Sequence, residues 1–466
     1  VNMPAAIAAR PVEAPHALPL LGHAGQLWFR PLPFIRELAY KHGLVTLRLG
    51  PYRAYLACGT ADVLEVLHDA RTFDKGGPLF EKARLLVGDG LVSSDFTTHR
   101  RQRLLLQPAF HTARLPGYQQ LMARQVDATL ATWRTGQVLD LGHAMHTLTL
   151  RVAARTMFGA RLDDRAIGEV VAAMPVIMRG VYQRMVLPVD WTHRLPLPAN
   201  RRFERARATM HRVIGDTVRA YRRSGQDHHD LLSILVHGRD EHGAGLTEEE
   251  IHDQVMTLLI GATEPPGDAL TWIFSLLAAH PDAERAVRAE ADHVLGCRPA
   301  TVLTPDDLPR LEHTHRVVRE ALRLYPPAWL LTRTTTRDTR LAGHPVKKGS
   351  TVLFSPYQTQ HDPRVFPEPR RFDPDRWRAP TAAARLAMLP FGAGNRKCIG
   401  DEVALTELVG VTAAVAARFR LRPVSGTTPR PVARASLGAD RVLMTVQSRR
   451  PNTVRSLPGR TGTAAS

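Results

Sequence analysis

Cysteine is scarce, with three in 466 residues, too few for a disulfide framework and suited to a reducing compartment. No run reaches the about 18 apolar residues of a membrane span, and no basic segment followed by an apolar core opens the chain as a secretion signal would. A soluble, cytoplasmic protein is expected. Interior Gly/Ser/Pro-rich linkers and internal repeats are also missing, so the chain is expected to form one domain over residues 16–447; length alone would predict about three. Residues 1–15 read as a flexible N-terminal segment and 448–466 as a disordered basic tail. Acidic residues are outnumbered, 44 against 62 Lys and Arg, for a formal net charge of +18. Such an excess suits nucleic acid or anionic lipid. The arginines are spread along the chain, however, and no nucleic-acid motif occurs, so neither nucleic acid nor membrane is an expected partner.

Cys58 and Cys297 read as ordinary structural or surface thiols. The third cysteine lies in Phe391-Gly-Ala-Gly394-Asn-Arg396-Lys-Cys398-Ile-Gly400. A thiolate donates strongly to iron, and in a heme enzyme that push favours cleavage of the O–O bond. Gly394 and Gly400 would let the backbone pass close to a macrocycle, Phe391 could pack beside the sulfur, and Arg396 could reach a propionate. The run resembles the heme-binding loop of the cytochrome P-450 monooxygenases. That resemblance implies heme b, iron protoporphyrin IX, with Cys398 as axial ligand to the metal.

Four further stretches carry the likeness. Glu320 and Arg323 share a helix face at i, i+3, and with Arg376 of Phe372-Asp-Pro-Asp-Arg376-Trp377 they resemble the family's buried Glu-Arg-Arg triad. Breaking such a set costs about 3–5 kcal/mol, so its role is structural. His99 and Arg103 share a face at i, i+4 where the family holds propionates, and Arg333 stands where it sends another arginine to one. His361-Asp-Pro363 matches a segment found ahead of the second arginine motif. The resemblance runs from about Leu18 to about Val446. It implies a mainly α (α+β) fold, a helix-rich triangular prism with small β-sheets near the N-terminus and C-terminus. Residues 45–49 and 52–57 alternate as half-buried strands do, and 343–349 reads as a turn into a strand at 351–354. Phe73-Asp-Lys-Gly-Gly-Pro-Leu-Phe80, Leu195-Pro-Leu-Pro198 and Pro326-Pro-Ala-Trp329 resemble actinobacterial sesquiterpene oxidases within the family.

One element departs from the pattern. Thr247 is a plausible N-cap with Glu250 at the capping-box position, opening a central helix that runs into Gly261-Ala262-Thr263-Glu264-Pro265-Pro266-Gly267. The family has an acid followed by a threonine whose hydroxyl assists proton delivery during oxygen activation. Glu264 keeps the acid, but Pro265 stands at the threonine position. The paired prolines remove two N–H donors and enforce a kink. Thr263 lies about 200° around the helix from that position. Glu264, Thr263 and Pro265 are therefore the candidate catalytic positions, with ordered water or a substrate hydroxyl as substitute donors.

By resemblance, the substrate pocket is lined by Leu79, Phe80, Leu85 and Leu86, by Met178, Tyr182 and Met185, and by Ala262, Ala328, Trp329, Leu330 and Leu437. These suit a small hydrophobe held by shape. The expected function is hydroxylation of a sesquiterpene-like terpenoid of secondary metabolism with molecular oxygen. Electrons would come from NAD(P)H through a ferredoxin reductase and ferredoxin docking near Arg100, Arg101 and Lys397. Pro265 leaves three alternatives open: a peroxide-using enzyme, one that rearranges an oxygenated substrate without consuming oxygen, and a turnover-impaired heme or ligand-binding protein. Asp163-Asp164 and Glu248, Glu249, Glu250 with Asp253 are the acidic clusters available to a metal-diphosphate site, but acids in a first helical turn ordinarily complement the dipole.

Overall fold

The computed structural model describes residues 11–39, 43–49, 52–158, 163–186, 195–224, 230–295, 304–424 and 428–449. Most of the chain is helical because apolar residues recur every three or four positions. In Pro198–Ser224 the buried residues Phe203, Ala206, Met210, Val213, Ile214, Val218 and Tyr221 form one such stripe, which packs on the helix Asp164–Val186. The helix Glu264–Ala279 is buried almost all round. It lies against Leu141–Phe158 and Asp401–Arg418 at the centre of the largest core cluster.

The strands gather beside this helical mass. A six-stranded sheet runs in the order Val12–Glu13, Leu44–Leu49, Tyr52–Ala57, Thr351–Phe354, Leu331–Thr335 and Phe73–Asp74. The strands expected at 45–49 and 52–57 are present and pair as a hairpin, Leu44 to Ala57 and Leu49 to Tyr52. Thr351–Phe354 pairs parallel to Tyr52–Ala57, bringing distant parts of the chain side by side. The segment read as a turn at 343–349 contains a strand of its own, His344–Val346, paired with Thr339–Leu341. A second sheet joins Phe419–Pro423, Leu443–Ser448 and Val138–Asp140.

Residues on the far side of both expected bounds take part in sheets. Val12 and Glu13 pair with Val45 and Thr46, and the Ala14 N–H donates to the Thr46 carbonyl at 3.0 Å, so order precedes residue 16. At the other end Ser448 pairs with Phe419, and Arg449 bonds Asp292 at 3.0 Å. Residues 1–10, Cys297 and 450–466 lie outside the described residues.

The expected triad is present and buried. Arg323 donates twice to Glu320, at 2.9 Å each, and Arg376 donates to the same carboxylate at 3.0 Å. The Trp377 indole and the Asp373 N–H complete the acceptor's partners. Arg323 also donates to the carbonyls of Gln360, Pro369 and Arg371, so no polar atom of this buried ion pair is wasted. His361 is buried beside it, its Nδ1 donating to the Tyr357 carbonyl.

Candidate functional site

Cys398 ends a tight loop closed by its own N–H, which donates to the Phe391 carbonyl at 2.9 Å. Phe391 thereby sits beside the cysteine, its ring against the main core. Gly394 is held as glycine by the protein's own packing. Its φ is +66°, and a Cβ there would lie 2.3 Å from the Leu67 carbonyl oxygen, so its small size serves the contact with the helix Thr60–His68. Gly400, where a Cβ would meet Phe110 at 3.4 Å, is the more forgiving position. Beyond it begins Asp401–Arg418, whose N-terminus favours negative charge. The cysteine is exposed by surface area, yet burial by surrounding protein still raises its thiol pKa, opposed by the Gly400 N–H, Arg103 and Lys397. Both descriptions fit a sulfur on the floor of a concavity.

Five basic side chains converge around this loop. Arg396 donates to Asp74 at 2.6 Å and to the Ser94 carbonyl at 2.8 Å, while its buried Nε has no partner. Arg333 is buried, donates to its neighbour's carbonyl, Thr332, at 2.8 Å and lies 5.2 Å above the Phe354 ring. Among the described residues no carboxylate pairs with it, and burial together with Arg396 brings its pKa down to about 9. His99 is depressed to about 3 by burial and by Arg396, Arg103, Lys75 and Arg333. Arg103 does not join the buried group by a direct bond; it donates to the Lys397 carbonyl at 2.7 Å, gripping the cysteine loop itself.

Lys75 is the member that sequence reasoning missed. Its ammonium sits 4.2 Å from the Phe80 ring, held well below its ordinary pKa by burial, Arg333 and Arg396. The signal was present in Lys75-Gly76-Gly77: a Cβ at Gly76 would lie 2.8 Å from Thr334 Oγ1, so the loop presses against the strand that carries Arg333. Asp74 alone bridges this set, and the cations depress one another. Such a donor set fits added carboxylates, as the two propionates of a heme would supply.

The central helix divides rather than kinks. The capping box forms as expected, Glu250 N–H to Thr247 Oγ1 at 3.1 Å and Thr247 N–H to Glu250 Oε2 at 2.8 Å. The first segment runs Glu248–Gly261, and a second starts at Glu264. Pro265 and Pro266 therefore occupy a first turn, where a missing N–H costs nothing. The Thr263 hydroxyl, between the two segments, donates back to the Leu259 carbonyl of the first at 2.6 Å. Its carbonyl accepts from Thr149 Oγ1 at 2.9 Å.

Glu264 faces two groups not singled out in the sequence. His146, on Leu141–Phe158, donates through Nδ1 to the Gly142 carbonyl at 2.8 Å, directing Nε2 between Asp268 Oδ1 at 3.4 Å and Glu264 Oε2 at 3.7 Å. Burial would lower the imidazole pKa, but Asp268, Glu264 and the Gly142 carbonyl outweigh it and push it up to about 9. Glu264 is raised by burial and Asp268, against His146 and Arg434. Gly267 makes the space, since a Cβ there would lie 2.6 Å from the imidazole Cδ2. No local motif announces His146; the helix pairing alone brings it here.

Among the described residues this is the one cluster of three metal-capable side chains. The acids named in the sequence do not form another: Glu250 pairs with Arg101, Glu248 with Arg222, and Asp253 accepts the Asp89 N–H. The Asp164 side chain is outside the described residues. Arg101 is also corrected as a docking residue, being held at 2.7 Å by both Asp240 and Glu250. Lys397 pairs with Asp401, while Arg100 is exposed.

The expected substrate positions separate. Met178 and Ala262 are half-buried against one core cluster, Phe80 is buried beneath Lys75, and Ala328 is half-buried. Trp329 and Leu437 are buried and packed together with Leu32, Ile35 and Tyr357, with Leu330 against them. The Trp329 indole donates to the Arg434 carbonyl at 2.8 Å. The side chains of Leu79, Leu85, Leu86, Tyr182 and Met185 lie outside the described residues.

A thiol loop gripped by arginines, a cationic nest beside it and a divided helix carrying an acid define a heme-thiolate protein class. The chain belongs to the cytochrome P-450 family, whose model matches residues 12–447. It is 45% identical over 420 residues to cyclooctat-9-en-7-ol 5-monooxygenase of Streptomyces melanosporofaciens, covering 89% of this chain and 90% of that protein. Cyclooctatin synthase of the same organism is 44% identical, over 94% of this chain and 96% of its own. Pentalenene oxygenase of Streptomyces avermitilis is 40% identical, over 91% and 94%. The crystal structure of the cytochrome P450DA heme domain superposes with a TM-score of 0.85 at 26% identity, covering 96% of this chain and 99% of that one. Family membership brings a heme-thiolate cofactor, which the thiol and the cationic nest fit. Among the described residues no helix is long and apolar enough to cross a membrane.

Proposed function

We propose that the protein is a monooxygenase that hydroxylates a hydrophobic terpenoid. The observation that carries this is the site itself, a loop-borne thiol beside buried cations, in a chain whose relatives named as terpenoid oxygenases match it nearly end to end. In this reading Cys398 would supply the thiolate to heme b, and His99, Arg333, Arg396 and Lys75 would take up its propionates. Arg103 holds the loop through the Lys397 carbonyl. Bound heme supplies oxygen activation and hydrogen abstraction. The chain's own contribution is to hold the sulfur on its loop, exclude water with Phe80, Met178 and Ala262, and hold exchangeable protons at Glu264. Electrons arrive from NAD(P)H through a reductase and ferredoxin in the cytoplasm.

The test supplies cyclooctat-9-en-7-ol and pentalenene with ferredoxin, reductase, NADPH and oxygen, and counts hydroxylated product against NADPH consumed. Oxygen-dependent product is expected. Product with hydrogen peroxide alone, and none with oxygen, would replace the reading with the peroxide-using alternative that Pro265 motivates.

A further inference from the structure

We propose that His146 supplies protons to Glu264, so that a histidine from a neighbouring helix takes over work the family gives to the hydroxyl replaced by Pro265. The inference rests on the monooxygenase reading.

Four observations carry it. The imidazole is fixed by its Nδ1 bond to Gly142, so its remaining nitrogen has one orientation, between two carboxylates at 3.4 Å and 3.7 Å. That nitrogen is buried and makes no hydrogen bond, its contacts with the two carboxylates being charge contacts only. The space for the ring exists because residue 267 is glycine, on the same turn as Glu264. Exposure falls along the set, 27% for the His146 side chain, 18% for Glu264 and 11% for Asp268, so the histidine is the end nearest solvent. Meanwhile the nearby hydroxyl of Thr263 is committed to Leu259. The charged groups facing this set are Glu264 and Asp268 on the imidazole and Arg434 on Glu264.

The step moves one proton and no electrons. The imidazolium Nε2–H passes its proton to Glu264 Oε2, leaving neutral imidazole and a carboxyl. That carboxyl gives its O–H proton to a water on its far side, regenerating the carboxylate. His146 is reprotonated at the buried Nε2 by a water that enters past the exposed part of its ring. Asp268 keeps the imidazole charged between turns, which is why its carboxylate lies closer than Glu264 to the nitrogen. His146 is thus a positioning and proton-supplying residue that acts through Glu264.

The experiment compares the unaltered holoenzyme with His146→Gln and Asp268→Asn, using pentalenene or cyclooctat-9-en-7-ol, whichever is turned over. Expected for His146→Gln are a fall of about tenfold in product per NADPH, matching release of hydrogen peroxide, a larger solvent isotope effect, and unchanged substrate-induced shift of the heme absorption. Added imidazole should restore part of the coupling. Unchanged coupling in His146→Gln overturns the relay. Nitrogen-detected NMR of the unaltered protein gives a readout independent of turnover: the His146 ring should stay protonated into alkaline pH and titrate at lower pH in Asp268→Asn. If His146→Gln fails to take up heme, the unaltered enzyme decides, by whether coupling declines as this ring deprotonates; a flat profile overturns the relay. Absence of oxygen-dependent product from the unaltered enzyme overturns the monooxygenase reading and the relay with it, and is recognisable because it precedes any substitution.

Discussion

Glu407 shows how much a single buried carboxyl can govern. It lies on Asp401–Arg418 beside an apolar cavity lined by Met122, Val126 and Leu308, with one oxygen unpartnered. Burial raises its pKa from the ordinary 4.5 to about 8. The folded protein therefore keeps a proton that the unfolded chain gives up between those values. Stability is fully present below 4.5, declines as pH rises to about 8, and then levels, losing at most about 1.4 kcal/mol per unit. Glu407→Gln should remove that decline, seen as urea midpoints that converge with the parent at acid pH and exceed it at pH 8. Cys398, Glu320 and the arginines were legible through the resemblance of their motifs to the family's, since a Glu and an Arg three apart are by themselves an ordinary surface pair. Lys75, His146 and Glu407 were not, because what distinguishes them is burial and neighbours from other elements.

At the scale of elements, the division between Gly261 and Glu264 is the main difference from the sequence reading. A proline pair inside a helix predicts a kink, but the same pair is accommodated without strain when the chain restarts there. The composition reveals the break; which side of it each residue joins depends on packing against Leu141–Phe158. Restoring the family's alcohol tests how the element works. With His146 in place, Pro265→Thr should leave product per electron nearly unchanged. In His146→Gln the same substitution should recover several-fold of the lost coupling. A large gain in the unaltered background would instead mean that the missing hydroxyl limits turnover. Strand existence at 44–57 was likewise legible from alternation, whereas the parallel pairing of Tyr52–Ala57 with Thr351–Phe354 was not, since no local signal sets a partner so distant in sequence.

For the whole molecule, the net charge of +18 is distributed, and much of it is engaged internally. Arg101, Arg323, Arg376 and Arg396 all serve buried or half-buried acids. What remains outside is available to an acidic electron donor. Reduction by ferredoxin should slow as ionic strength rises. Arg100→Glu should slow it further at low salt without changing the melting temperature, while Arg101→Glu should lower the melting temperature by breaking its two ion pairs. Salt-independent reduction would remove the docking argument.

Arg323 carries a consequence for motion. Its guanidinium joins the carbonyls of Gln360, Pro369 and Arg371, while Glu320 beneath it accepts from Arg376 and the indole of Trp377. A stretch with little regular secondary structure is thereby fastened to one helix turn. Amide hydrogens there, Asp373 N–H above all, should exchange with deuterium only when the entire protein opens, not by local fluctuation. Glu320→Gln should convert them to fast exchange ahead of the surrounding helices. The irregular approach to the cysteine loop would then behave, kinetically, as the last part of the molecule to let go.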